Sequence, residues 1–216
     1  MTPLGTSHRR RLLDADLARA TAGLAGPVLD VGGRRHGRGR FRPPEGVRWI
    51  RLNVDPAAAP DVVADAQALP IRSGALAAAV CLETLEYVEA PERAVAELAR
   101  VLRLGGRAVV SVPFLHRADA DTDRHRFTAT GLREALGRAG LAVVEVAPQG
   151  RFFTVLANML GQATARLPTR LARWGVGALT VPLGELLVRV DELGAVRRSA
   201  FLSSFSTGYL AVARKP

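Results

Sequence analysis

Short apolar runs alternate with segments of helical apolar spacing along most of this chain. Apolar runs bounded by Gly, Pro or Asp predict strands at 28–33, 47–54, 61–64, 75–82, 107–112, 141–147 and 208–214. Apolar residues three and four positions apart predict helices at 8–25, 91–102 and 130–139. Pro91 begins the second helix, and Thr128 or Thr130 is expected to cap the third.

This alternation predicts an α/β fold of the Rossmann-like, doubly wound type. We expect a mainly parallel seven-stranded sheet with helices on both faces and a helical insert before the last strand. Residues 1–216 are predicted to form one domain, which the pattern divides into an N-terminal helix (8–25), a core (27–147), an insert (151–200) and a final strand (205–214). Residues 34–46 are too rich in Gly and Pro for a full helix after the first strand, which disfavours a pyrophosphate seat of the NAD type.

The segment 151–190 is longer than an ordinary connection between strands. Its first part has an apolar helical face, and Arg166, Arg170 and Arg173 then precede Trp174. This pattern predicts either a helical lid over the active site or a basic amphipathic element that lies on a membrane surface. We expect 174–190 to be too short to span a membrane and to be broken by Pro182 and Glu185.

The chain has a net charge of +10, and 29 of its 30 basic residues are arginine. Residues 1–60 and 147–216 are each net +6, whereas 61–146 are net −2. Basic ends of this kind suit an anionic membrane, a phosphorylated substrate or nucleic acid, although a solvated arginine surface explains them equally well. The lone Cys81 excludes a disulfide framework and a multi-cysteine metal site. Without a signal-like segment, we expect a cytoplasmic protein that can lie peripherally at the inner membrane face.

Acidic residues and glycines stand where three successive predicted strands end. Gly32 and Gly33 allow a tight turn after the first strand. Asp55 follows the second strand about 20 residues past the glycine turn, where an acid can accept hydrogen bonds from ribose hydroxyls. The alternative for Asp55 is a turn aspartate before Pro56. Asp65 follows the third strand and can meet an adenine amino group, so the set predicts a nucleoside site.

The stretches VLDVGG, LNVDP, DVVADAQALP and CLETLEYVEAPERAVAELARVLRLGGRAVVSVP are ordered and spaced as in a known family. They resemble the class I S-adenosylmethionine-dependent methyltransferases of the type 11-like group, with its LP…LEH…RVLKPGG pattern. The continuation from Pro113 to Thr128 resembles a narrower bacterial branch with a proline–phenylalanine and a D-x-x-R-F/Y-T run. That branch is often linked to surface-glycan assembly.

The resemblance implies S-adenosylmethionine as cofactor and assigns residues to it. One acid and the two glycines of the first turn would line its methionine end, one acid would hold its ribose, two residues would flank its adenine, and one acid would lie beside its sulfonium pocket. These residues are, in that order, Asp30, Gly32, Gly33, Asp55, Asp65, Ala66 and Glu83.

Three positions depart from the family pattern. Arg34 stands where the family usually has a second cofactor-facing glycine, Tyr87 replaces the usual His, and Ala77 replaces the Asp that opens the fourth strand. A long cation near a sulfonium is unfavourable unless it points away. These departures keep open a non-catalytic protein of this fold that binds an anionic partner or a membrane surface.

The loop after the fifth strand contains the predicted acceptor residues His116, Asp123 and Arg126. Methyl transfer needs a base only when the acceptor is a hydroxyl or a protonated amine. Arg126 could bind a carboxylate or phosphate, or it could form an ion pair with Asp123 that pins the loop. We expect a methyltransferase that acts on a small-molecule or glycan-type acceptor. A nucleic-acid substrate is disfavoured, because LETLEYV stands where base-amino methyltransferases have Asn/Asp-Pro-Pro-aromatic.

Overall fold

A computed structural model describes residues 7–35, 39–118 and 120–216 of the protein. Within these ranges seven strands form one sheet in the order β3-β2-β1-β4-β5-β7-β6. Strands β1 to β5 run parallel, and β7 lies antiparallel between β5 and β6. The elements are α1 (His8–Thr21), β1 (Val28–Val31), β2 (Trp49–Asn53), β3 (Val62–Val63), β4 (Leu76–Leu82), α2 (Pro91–Val101), β5 (Leu102–Pro113), α3 (Ala129–Arg138), β6 (Ala142–Pro148), α4 (Phe152–Ala165), α5 (Arg170–Val190), α6 (Gly194–Arg198), α7 (Ala200–Ser203) and β7 (Gly208–Arg214).

Both faces of the sheet are covered because alternate residues of the central strands point to opposite sides. Ala78 and Val80 of β4 pack with Leu13 and Leu17 of α1 in one apolar cluster. Ala79 and Cys81, which point the other way, belong to a second cluster that contains the buried alanines, valines and leucines of α2 and the buried leucines of α3. The predicted doubly wound, mainly parallel seven-stranded sheet with a helical insert is confirmed.

The local predictions hold at several element ends. Pro91 begins α2, and the Thr128 side chain accepts a hydrogen bond from the backbone N–H of Gly131 at the start of α3. Between β1 and β2 no helix forms in 32–35 or 39–48, as expected; residues 36–38 of that predicted loop lie outside the described part of the chain. Strand β5 begins at Leu102, earlier than predicted, because 102–106 pair with the start of β4 and the C-terminal residues.

The insert contains two long helices, α4 and α5, that pack against each other. The expectation that Pro182 and Glu185 break the second helix is wrong, because α5 continues through both residues to Val190. Proline removes one backbone hydrogen bond and crowds the preceding turn, but its exposed ring does not end this helix. Just beyond α5, the buried Asp191 accepts hydrogen bonds from the backbone N–H groups of Arg151, Phe153 and Thr154, at 2.7, 3.1 and 2.8 Å. This carboxylate ties the end of α5 to the start of α4.

Candidate functional site

A cleft of about 1690 Å³ lies where β1, β2 and β4 end. It is larger than the roughly 300–1,000 Å³ of an ordinary ligand pocket, which leaves room for a nucleoside cofactor and an acceptor together. All seven residues assigned to the cofactor by resemblance line it, namely Asp30, Gly32, Gly33, Asp55, Asp65, Ala66 and Glu83. The topology therefore brings the predicted residues together at the carboxyl edge of the sheet, where ligands bind in open α/β sheets.

The glycine turn after β1 is fixed by its neighbours. Gly32 has φ +79°, and a Cβ there would collide with the Thr84 hydroxyl. The Asn53 side-chain amide donates to the backbone carbonyls of Gly32 and Gly33, at 3.0 and 3.1 Å. Only glycine fits this backbone and this spacing, so the turn presents main-chain atoms to the cleft.

Asp30 supports the turn from its buried side. The Trp49 indole N–H donates to its Oδ2 at 3.1 Å, and a Cβ on Gly33 would lie 2.6 Å from the same oxygen. Burial raises the pKa of the Asp30 carboxyl to about 6, against the opposing effects of Trp49 and nearby arginines. The sequence analysis missed Trp49, although its strand pairing with Val28 follows from the parallel order of β1 and β2.

The two acids after β2 and β3 stabilise the loops that they begin. Asp55 Oδ1 accepts from the backbone N–H of Ala57 at 2.9 Å, so the turn role weighed for it is present. Its side chain is also exposed in the cleft, and the turn bond leaves Oδ2 for a ligand. Asp65 likewise accepts from the backbone and side-chain amides of Gln67. Both carboxylates therefore stand in the cleft at fixed positions.

The Glu97–Arg100 part of the family pattern positions the loop after β3. Glu97 accepts from the backbone N–H of Leu69 at 2.7 Å, and Arg100 donates to the carbonyls of Leu69 and Ile71 at 3.0 and 2.7 Å. The hydrogen bond from Arg100 lowers the pKa of the Glu97 carboxyl. This part of the resemblance thus serves structure, by anchoring α2 to the loop that carries Asp65.

At the other end of the cleft, Glu83 joins two elements that are distant in sequence. It follows β4 with φ +50°, an unusual backbone conformation for a residue other than glycine. Its Oε1 accepts from the Ser111 hydroxyl at 2.7 Å, and its Oε2 pairs with the Arg9 guanidinium of α1. Among the described residues, Arg9 Nε and Nη2 are buried without a hydrogen-bond partner. Sequence analysis missed Arg9, since only the fold brings α1 to this strand end.

Glu86 is a second residue that the sequence analysis missed. It lines the cleft, its side chain is buried with 2% exposure, and within the described chain its Oε2 has no hydrogen-bond partner. Burial raises the pKa of its carboxyl to about 8, and the negative charge of Glu83 adds to the effect. A buried titratable group of this kind in a cleft is typical of acid–base sites. In the sequence, the only feature that could have pointed to Glu86 was its place within LETLEYV.

The loop predicted to meet the acceptor is held in place by its own charges. The Asp123 carboxylate pairs with the Arg126 guanidinium through two contacts, one of them 2.7 Å, and Arg126 also donates to the His125 carbonyl at 2.8 Å. His116 and Asp123 line the cleft, while Arg126 is not among its lining residues. The geometry therefore agrees with the alternative that this ion pair pins the loop, and the acceptor roles of His116, Asp123 and Arg126 stay predictions.

The three departures from the family pattern differ in their distance from the cleft. Arg34 and Tyr87 both line it. Ala77 instead lies near the opposite end of β4, where its N–H bonds the Pro27 carbonyl. That substitution leaves the site untouched. Helix α4 contributes Asn158 and Gln162 to the wall, so the lid predicted for the insert agrees with the position of α4.

The comparisons with known proteins agree with this geometry. Residues 44–110 match the family described as Methyltransferase domain. No curated protein is similar enough to count as a relative. A geranyl diphosphate C-methyltransferase from Streptomyces coelicolor A3(2), solved with Mg2+, geranyl diphosphate and S-adenosyl-L-homocysteine, has a TM-score of 0.61 at 16% identity, over 97% of this chain and 80% of that one.

Two further solved structures have the same fold. The cyclase SpnF has a TM-score of 0.55 at 20% identity, over 94% of this chain and 80% of its own. An N-methyltransferase from Haemonchus contortus, solved with phosphomonomethylethanolamine and S-adenosylhomocysteine, has 0.59 at 12% identity, over 95% of this chain and 52% of its own. Identities this low show the fold alone. The family match adds what the fold cannot: residues 44–110 are similar in sequence to a methyltransferase domain.

Proposed function

We propose that this protein transfers a methyl group from S-adenosylmethionine to an oxygen or nitrogen atom of a small-molecule or glycan-type acceptor. One observation supports this choice of atom. Glu86 is a buried carboxyl that lines the cleft and has, among the described residues, no partner for its Oε2. A thiolate needs no such group, whereas a hydroxyl or a protonated amine must lose a proton when it is methylated.

The cofactor half of the cleft has suitable chemistry for a nucleoside. The Asp55 carboxylate can accept from ribose hydroxyls, Asp65 and Ala66 can flank adenine, and the main chain at Gly32 and Gly33 can receive the methionine end. When bound, the cofactor supplies an activated methyl group. The side chains then need only hold the two reactants in line and exclude water.

The acceptor half offers a cation and a proton acceptor together. Arg9 is held by Glu83, and its remaining N–H groups can bind a carboxylate or phosphate of the acceptor. Glu86 takes the acceptor's proton on Oε2 as the acceptor's lone pair bonds to the methyl carbon. With the cofactor bound, the electron pair of the broken bond would stay on its sulfur, and Glu86 would then release the proton to solvent. Two of the solved structures with this fold hold phosphorylated small molecules, which supports an anionic acceptor here.

The pKa of Glu86 fixes the expected pH profile. A carboxyl whose pKa is about 8 is mostly protonated at pH 7, so the active, ionised form increases as the pH rises. We expect turnover to rise up to about pH 8 and then to level off. Glu86→Gln should lose this dependence together with most of the activity.

The test has two stages. Calorimetric titration with S-adenosylhomocysteine first measures cofactor binding by the full chain. Turnover is then measured with labelled cofactor and a panel of hydroxyl and amine acceptors, with and without phosphate groups. Glu86→Gln is compared with Glu92→Gln, the same change at an exposed glutamate of α2 that does not line the cleft. Loss of turnover with unchanged cofactor affinity in the first variant alone supports the proposal, and equal turnover in both contradicts the role of Glu86.

The second candidate function is a non-catalytic protein of this fold that binds an anionic partner. The cleft favours it in one respect, because the exposed Arg34 lies where the family usually has glycine. Absence of binding at millimolar S-adenosylhomocysteine would select this candidate. The cytoplasmic location, the surface-glycan link and the peripheral membrane contact through 151–190 also stand as proposals; the last is supported by the exposed surface of α5.

A further inference from the structure

Helix α5 presents its large apolar side chains to solvent. Leu171 is 82% exposed, Leu179 is 74% exposed, Trp174 is 57% exposed and Leu186 is 56% exposed. Val176 and Leu183 lie on the same broad face of α5. Among the described residues, the charged residue on this face is Arg189, near the C-terminal end of the helix. Exposed apolar surface that is contiguous, rather than scattered singly, marks an interaction site.

The face of α5 that is turned towards the protein includes small and polar residues beside the partly buried Val181, Leu187 and Val188. Thr180 Oγ1 lies 3.1 Å from Thr164 Oγ1 of α4, and a Cβ on Gly184 would lie 2.6 Å from His8 Nε2 of α1. Glu185 pairs with Arg11 of α1 at 2.6 Å. A helix on a water-soluble surface has the opposite arrangement, with apolar residues inside and polar residues outside. The outer face of α5 is therefore built for a medium other than water.

Arginines stand at both ends of this apolar face. Arg166 and Arg170 are exposed before it, and Arg189, Arg197 and Arg198 are exposed at its end or beyond. The acids of the region are engaged: Asp191 is buried at the start of α4, Glu185 pairs with Arg11, and Glu192 pairs with Arg197. The surface is thus apolar in its centre and positive at its ends.

We propose that the outer face of α5 and its flanking arginines form a docking surface for an anionic lipid bilayer, with the helix lying in the interfacial region. Apolar side chains would enter the boundary of the acyl chains while the arginines bind lipid phosphates. Trp174 is placed near one end of the helix, and aromatic residues favour the headgroup level.

Charge argues against a second copy of this chain as the occupant. A symmetric pair of α5 helices would place one basic end against another in either relative direction, because both ends are basic. A bilayer that contains anionic lipid neutralises both ends at once. The charge complementarity of this face is therefore with lipid.

The contacts of α5 also argue against a membrane span, although its length and composition are sufficient for one. Its 21 residues would be about 30 Å long, close to the hydrocarbon thickness of a bilayer. Spanning would pull Glu185 away from Arg11 and into hydrocarbon, which is costly for a carboxylate. Lying in the interface keeps this pair and the contacts with α4.

Docking in this orientation sets the cleft close to the lipid surface. Helix α4 packs against α5 and also contributes Asn158 and Gln162 to the cleft wall. Packed helices are about 8–10 Å apart, so one helix separates the acceptor end from the bilayer. The docking surface does not depend on methyl transfer, since none of the α5 residues that form it lines the cleft.

The experiment is vesicle co-sedimentation of the full chain without cofactor. Vesicles of phosphatidylcholine alone are compared with vesicles that also contain phosphatidylglycerol, at low and high salt. We expect binding to the mixed vesicles that weakens with salt, with a blue shift of Trp174 fluorescence. The double variant Leu179→Gln, Leu186→Gln should bind at least about tenfold less, because each side chain loses an apolar contact with lipid. Leu104→Gln, a change at a leucine of β5 that is 77% exposed, is the matched control and should bind as the wild type does.

Three results would overturn the proposal. The first is no sedimentation with either vesicle, or equal loss in the Leu104→Gln control. The second is binding that resists alkaline carbonate extraction, which indicates a span. The third is a dimer in sedimentation velocity that the double variant dissociates while vesicle binding is absent. Cofactor titration is a separate measurement from vesicle binding. If the protein does not bind vesicles, the proposed methyl transfer is unaffected, and if it does not bind the cofactor, the proposed lipid docking is unaffected.

Discussion

Glu86→Gln is expected to change how the stability of this protein depends on pH. Burial and the nearby charge of Glu83 raise the pKa of the Glu86 carboxyl from its ordinary 4.5 to about 8 in the folded protein. The folded state therefore holds this proton more tightly than the unfolded state. Its contribution to stability is full below about pH 4.5 and is lost as the pH rises towards 8. A shift of roughly three to four pKa units corresponds to about 5 kcal/mol.

Urea unfolding at about pH 5 and about pH 8.5 measures how the free energy of unfolding changes with pH. Most of the Glu86 contribution, about 4 kcal/mol, is lost between these two pH values. Glutamine keeps the shape of the protonated carboxyl but cannot ionise. From about pH 5 to about pH 8.5, the free energy of unfolding should therefore fall by about 4 kcal/mol less in the variant than in the wild type. Glu89→Gln, at an exposed position, should follow the wild type. Parallel pH profiles for Glu86→Gln and the wild type would refute the assignment of a buried carboxyl at this position.

Four other substitutions test three separate parts of the structure. Asp55→Ala should weaken S-adenosylhomocysteine binding about tenfold or more in calorimetry, because ribose hydroxyls lose a charged acceptor; an unchanged Kd would remove this residue from the cofactor site. Asp123→Ala and Arg126→Ala should each lower the free energy of unfolding by about 1–3 kcal/mol and show coupling in a double-mutant cycle, since they form one ion pair. Additive losses would mean that the pair does not pin the loop. Asp191→Ala should cost about 3 kcal/mol because three backbone N–H groups lose their acceptor, whereas Glu192→Ala on the exposed neighbour should cost about 0.5 kcal/mol or less; equal costs would contradict the capping role.

The sequence could predict the cofactor half of the cleft because its signals are local. Each cofactor residue stands near the carboxyl end of a predicted strand or directly after it, and parallel strands bring those ends to one edge. Thr128 was foreseen as one of two caps because an N-cap depends on residues three positions apart. The lack of a helix in 32–35 and 39–48 likewise follows from Gly and Pro in the segment itself.

The acceptor half could not be predicted because its contacts join residues that are far apart along the chain. Arg9 reaches Glu83 only after α1 has packed across β1, β4 and β5. In the cofactor half the same limit applies to Trp49, which reaches Asp30 only through strand pairing. Glu86 is an ordinary glutamate in sequence, and its burial depends on the loop whose N–H groups at Arg124 and His125 donate to its backbone carbonyl.

Helix α5 shows a different limit of prediction from sequence. The sequence contains its pattern of apolar residues but does not show which face of the helix is turned towards the protein. Pro182 is a helix breaker by propensity, yet the loss of one hydrogen bond is outweighed when packing holds the rest of the helix. The alternation of small and large residues could place the leucines inside or outside equally well. The contacts of Gly184 with His8 and of Thr180 with Thr164 decide it, and they turn the leucines outward.

The first turn of α1 connects the two surfaces that carry the proposals. His8 packs at Gly184 and Arg11 pairs with Glu185 on α5, while Arg9, between them in sequence, reaches into the cleft to Glu83. Residues on one side of a helix turn move together, so a bilayer that holds α5 also restrains the helix that positions the guanidinium of Arg9. The exposed Arg11–Glu185 pair contributes about 1 kcal/mol at most. This link therefore positions the two surfaces relative to each other without making either depend on the other for its stability.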